Sequence, residues 1–154
     1  MKVFVAAGLI VYVSLISTTV ARAETMTLCE QKVEYTLMPP APGLPLEMSG
    51  FSGRWQGAVS YQMTVEMCLG FVFERVGSPG ATGKRAWSGA AGTGFVGVNA
   101  LGVENWSARW DGNTLRRASN DGQHVWELRM TGANEISGFY TNQGNRRPVW
   151  LKRL

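Results

Sequence analysis

Four short turn sequences punctuate the C-terminal half of this chain, and each one makes the backbone reverse. Asp111-Gly112-Asn113, Asn120-Asp121-Gly122, Gly132-Ala133-Asn134 and Asn142-Gln143-Gly144 set residues that tolerate positive φ between short runs of strand-forming residues. Reversals so close together leave no room for helices or for the long crossovers that parallel strands need. No stretch of about 11 residues after Gly50 carries an apolar stripe at helical spacing. The candidate strands are Gly53 to Tyr61, Thr64 to Arg75, Gly83 to Ser88, Thr93 to Asn99, Val103 to Trp110, Thr114 to Ser119, Gln123 to Thr131, Glu135 to Thr141 and Arg147 to Arg153. Their even spacing is that of an antiparallel meander.

Alternation sorts the faces of these strands. His124, Trp126, Leu128 and Met130 share one side, opposite Val125, Glu127 and Arg129, and in the last strand Val149 and Leu151 oppose Trp150 and Lys152. A meander of neighbouring strands loses its exposed edges by closing on itself. The expected fold is therefore all-β, a single antiparallel up-and-down β-barrel of about eight strands with an extended N-terminal arm. A two-sheet sandwich is the alternative that local hairpins leave open.

The other end of the sequence reads differently. Lys2, the apolar run Val3 to Ile16 and the small-residue site Ala21-Arg22-Ala23 form an export signal over residues 1–23. An uncleaved membrane anchor is disfavoured by Ser14, Ser17, Thr18 and Thr19 and by the lack of a basic stop-transfer cluster after Ala23. Residues 24–49 read as the arm, with a short strand at Lys32 to Leu37 followed by Pro39, Pro40, Pro42 and Pro45, which exclude helix and central strand. Residues 50–154 are the barrel domain. The expected location is secreted or periplasmic, with no membrane span once the signal is removed.

Lys2 and Arg22 leave with the signal, so the formal charge falls from +4 to +2. That is too little to argue for nucleic acid as a partner. The basic clusters at Arg116-Arg117, Arg146-Arg147 and Lys152-Arg153 read first as charged strand surfaces that discourage edge-to-edge association. Cys29 and Cys68 are the two cysteines, an even pair in an exported chain, and a disulfide tying the arm to the second barrel strand is expected.

Chemistry finds little footing. His124 is the single histidine and has no Ser or Cys nucleophile in a recognisable setting. One histidine and two bridged cysteines cannot supply a four-ligand zinc site, and no glycine loop opens a helix to cradle phosphate. No catalytic residue, metal or cofactor is expected.

Gly53-Arg54-Trp55, opening the first barrel strand, resembles the Gly-x-Trp signature of the lipocalins and related calycins. The resemblance implies a barrel end closed by Trp55, packed beneath a basic side chain from the last strand. Arg153 is the fitting residue and Arg147 the second choice. The match carries architecture rather than cargo, since short strands and short loops argue against a roomy ligand cup and suit a barrel filled by side chains. The chain also looks like the small periplasmic metalloprotease inhibitors, single-disulfide barrels that act through an N-terminal segment.

Function then rests on aromatic residues. Trp87, Trp106, Trp110, Trp126, Trp150, Tyr61 and Tyr140 are candidates to line a pocket, and Trp106, Trp110, Trp126 and Tyr140 are the ligand-binding set, with a slot between Trp106 and Trp110. The first expectation is a non-enzymatic binder of a small apolar molecule at the barrel mouth. The second is a protein-binding inhibitor or envelope module using the arm and the barrel rim. Oligomeric state is not legible.

Overall fold

The computed structural model describes residues 22–61, 65–89 and 101–154, with only the backbone for Tyr61 and Val65. The export signal, apart from Arg22 and Ala23, and the strand expected at Thr93 to Asn99 lie outside the described residues. Two strands, β1 (Glu24–Leu28) and β2 (Gln31–Tyr35), form a separate hairpin, and a single helical turn, α1 (Leu46–Ser49), follows. The barrel strands are β3 (Gly53–Tyr61), β4 (Val65–Gly77), β5 (Gly80–Ser88), β6 (Leu101–Asp111), β7 (Thr114–Ala118), β8 (His124–Gly132), β9 (Glu135–Asn142) and β10 (Asn145–Arg153).

Each barrel strand pairs antiparallel with its sequence neighbours, and β10 pairs with β3 to close the sheet, which rules out the sandwich. The turns carry the backbone signs that their sequences call for. Gln143 and Gly144 both have positive φ between β9 and β10, and Gly112 does so between β6 and β7. Between β7 and β8, Asp121 accepts hydrogen bonds from the Ser119 hydroxyl and the Gln123 N–H, which hold its carboxyl below the usual carboxylate range.

Closure brings together residues about a hundred positions apart. Arg153 lies opposite Trp55 across β10 and β3, with its guanidinium carbon 4.2 Å from the indole centroid. The same guanidinium donates to the carbonyls of Ser52 at 2.8 Å and Gly50 at 2.5 Å. Burial lowers its pKa from the ordinary arginine value. Gly53 explains the first residue of the signature: at φ +125° its missing Cβ leaves the space that Arg153 Nη1 fills. Phe51 then plugs this end, meeting Phe73 and Trp110 edge to face at 5.4 and 5.3 Å while its carbonyl accepts the Trp55 indole N–H.

The segment read as an extended arm is more structured than its sequence suggests. Cys29 and Glu30, both at positive φ, form the two-residue turn of the β1–β2 hairpin. That hairpin lies on the outside of the barrel, burying Leu28, Val33 and Tyr35 against Val72 and Ala86. Met38 and Ala41 then donate backbone N–H groups to the carbonyls of Glu74 and Val76. The expected disulfide, Cys29–Cys68, joins the hairpin turn to β4. Ser88, the residue opposite Cys68 on β5, is buried as well.

Two outcomes follow from this closure. Arg153→Met leaves the Gly50 and Ser52 carbonyls without their charged donor, so urea denaturation is expected to show a loss of about 1–3 kcal/mol, with Arg153→Lys recovering only part of it. Replacing both cysteines by serine frees a loop with a sequence separation of 39 and is expected to lower stability by about 3–4 kcal/mol in the same assay.

Candidate functional site

Inward-facing residues divide the barrel lumen into two unlike halves. Toward the Arg153 end, Trp55, Phe71, Phe73, Trp106, Leu115, Leu128, Ile136, Val149 and Leu151 pack into one core cluster. Phe71 and Phe73 stack at 5.3 Å, and both meet Trp106 edge to face. This half is filled.

Toward the other end the same inward positions carry charge. Strand alternation puts Arg85 inward on β5 because Ala81, four residues before it, belongs to the barrel core. By the same rule Glu104 shares the inner face of β6 with Trp106, and Arg117 that of β7 with Leu115. Glu104 Oε1 accepts from Arg117 Nη1 at 2.7 Å and lies 3.3 Å from Arg85 Nη2. One carboxylate thus serves two guanidinium groups.

Arg85 is held on every side. Its guanidinium carbon sits 4.7 Å from the Trp87 ring and 4.9 Å from the Trp126 ring, between two indoles. Space for Trp87 comes from Gly102 opposite it on β6, where a Cβ would run into the indole. Burial lowers the Arg85 pKa; Glu104 opposes that effect and Arg117 adds to it. Its Nε is buried and has no hydrogen-bond partner among the described residues.

Next to this cation lies an aromatic wall. Trp126 stacks on Tyr140 at 4.2 Å, and the Tyr140 hydroxyl is 2.8 Å from His124 Nδ1. Arg85, Glu104, Arg117, His124, Trp126 and Tyr140 all line one cavity of about 1390 Å³ that is open to solvent. Outward-facing residues, among them Thr82, Ser107, Arg109 and Arg116, line the same space. A cavity that touches both faces of a sheet passes through it or round a free edge. The free edge is at the β6–β7 seam, where among the described residues pairing covers only Arg109/Arg116, Trp110/Leu115 and Asp111/Thr114 and leaves β6 from Leu101 to Ala108 without a partner on that side. The cause is the shortness of β7, which turns away after Ala118.

The four aromatic residues expected at a site therefore separate. Trp126 and Tyr140 come together on the cavity wall. Trp110 lines the cavity near the plugged end, its indole N–H donating to the Gly77 carbonyl at 2.7 Å. Trp106 is only 2% exposed and belongs to the filled half, so no open slot forms between Trp106 and Trp110. Trp150 faces outward at 37% exposure, and the Tyr61 side chain lies outside the described residues. Sequence reading missed the charged members, Arg85, Glu104 and Arg117. Alternation could have found them, since each lies an even number of residues from a core side chain on its own strand.

His124 stands beside Tyr140, and its backbone N–H donates to Ser119 Oγ at 3.0 Å, a hydroxyl that itself donates to Asp121. Among the described residues no cluster of metal-binding side chains occurs and no helix is long and apolar enough to cross a membrane. No family model matches the chain, and neither the curated proteins nor the solved structures contain a match. Glu104→Gln would leave two guanidinium groups facing each other. With Glu104 about one-third exposed, solvent screening limits the expected loss to about 1–2 kcal/mol, and added salt should shrink it further in urea denaturation.

Proposed function

We propose that this chain is an exported, non-enzymatic binding protein of calycin type that holds a small molecule in the open half of its barrel. The observation that carries this reading is the Trp126–Tyr140 stack on the wall of a cavity of about 1390 Å³ that reaches solvent through the β6–β7 seam. Paired aromatic faces with a few convergent polar groups are how small-molecule sites are usually built. Export is supported by the leader pattern in residues 1–23 and by the Cys29–Cys68 disulfide, a bond that persists in oxidising compartments. Calycin type is supported by Gly53, Trp55 and Arg153 meeting at the plugged end of an eight-stranded closed barrel.

The alternative, a protein-binding inhibitor or envelope module acting through the N-terminal arm and the barrel rim, has weaker support. Residues 24–41 are tied to the barrel wall by a disulfide, a buried apolar cluster and two backbone hydrogen bonds.

Titration with naphthalene-sized aromatic compounds, both neutral and charged, is expected to quench tryptophan fluorescence to saturation at one ligand per chain. Trp126→Ala should weaken binding at least tenfold, a loss of about 1.4 kcal/mol, while Trp150→Ala on the outer face leaves it unchanged. Quenching that never saturates, or that Trp150→Ala alone abolishes, contradicts the reading.

A further inference from the structure

Charge is distributed very unevenly over this molecule. The cavity is lined by five arginines, Arg75, Arg85, Arg109, Arg116 and Arg117, against two carboxylates, Glu104 and Asp111. Its excess of three positive charges exceeds the +2 that residues 24–154 carry in total. The remaining surface is therefore close to neutral. A concave site of one sign with low-dielectric walls concentrates its potential on whatever enters.

The arrangement of these arginines costs stability. Arg109 lies directly opposite Arg116 across the seam, a like-charge cross-strand pair that Glu127, 3.9 Å from Arg116 on the far side of β7, only partly offsets. Arg85 is partly buried, and its Nε, which is fully buried, has no acceptor among the described residues. Glu104 gives one carboxylate to two guanidinium groups, so it neutralises half of the inner charge. Meanwhile the indoles of Trp87 and Trp126 fix Arg85 in place, so little side-chain entropy remains to be lost when an acceptor arrives.

We infer that the ligand of this cavity is a small organic anion, with an oxyanion group such as a carboxylate or sulfonate at Arg85 and Arg117 and a planar apolar body against Trp126 and Tyr140. The inference rests on the proposed small-molecule reading and adds the ligand's charge. The oxyanion accepts from the Arg85 and Arg117 guanidinium groups that line the cavity, making charge-assisted hydrogen bonds in a partly dry site. Entry is through the β6–β7 seam, past Arg109 and Arg116, which draw anions toward the opening. Glu104 occupies the same guanidinium groups in the free protein and so competes with the ligand.

The test compares two dyes that share one ring system, the anionic 1-anilinonaphthalene-8-sulfonate and the neutral N-phenyl-1-naphthylamine, on the folded, disulfide-bonded protein. The anion is expected to bind at least tenfold more tightly, with added salt narrowing the difference. Arg117→Gln should weaken the anion about tenfold and leave the neutral dye unchanged, whereas Glu104→Gln should tighten the anion several-fold. Far-UV circular dichroism confirms the fold of both variants, and Arg85→Lys, which keeps the charge but loses the fork, should give an intermediate loss. Equal affinity for both dyes, or anion binding indifferent to Arg117→Gln and Glu104→Gln, overturns the charge inference and leaves the small-molecule reading in place. Failure of both dyes to bind overturns both.

Discussion

Pairing of the last strand with the first is the constraint on which everything else in this molecule depends. An open eight-stranded meander would have two long edges and no interior. The β10–β3 ladder removes the edges and creates a lumen, and Arg153 over Trp55 fixes which end of that lumen is shut. The cation does two tasks there. It lies on the indole face and it satisfies carbonyls left by the turn from α1 into β3, so the plug and the strand pairing support each other.

The shut end explains the open one. Once Phe51, Trp55, Phe71, Phe73 and Trp106 fill the lower lumen, the inward positions further along β5 to β9 are no longer purely apolar. They carry instead a cation between two indoles, its carboxylate and a second arginine. Such a group is tolerated inside a barrel only where water or a ligand can reach it. The short β7 supplies that access by ending the ladder with β6 early, so the breach in the wall and the charge behind it belong together. The β1–β2 hairpin covers the outer wall of β4 and β5 at Val72 and Ala86.

Much of the barrel was legible because its determinants are local. Gly112, Gln143 and Gly144 announce their turns, and period-two alternation places Trp126, Leu128, Val149 and Leu151 inward as observed. The β1–β2 hairpin was not legible, since its turn residues, Cys29 and Glu30, adopt positive φ without being glycine or asparagine and are held there by the docked sheet and the disulfide. The aromatic site was half legible. Tryptophan spacing cannot distinguish a ring enclosed by Phe71 and Phe73 from one that meets Phe71 alone and also lines a cavity, so Trp106 and Trp126 look alike in sequence. Arginines inside a barrel run against the usual preference for exposed charge, which is why Arg85 reads as surface until its partners on β6 and β7 are in place.

A barrel sealed at one seam and breached at another makes a direct demand on backbone amide exchange. Hydrogen–deuterium exchange followed by NMR should show the amides linking β3 to β10 as slow as those linking β3 to β4, while the β6 amides between Leu101 and Ala108 that point toward β7 exchange fast. Rapid exchange along the β3–β10 ladder, or uniform protection across the β6–β7 seam, would contradict the account.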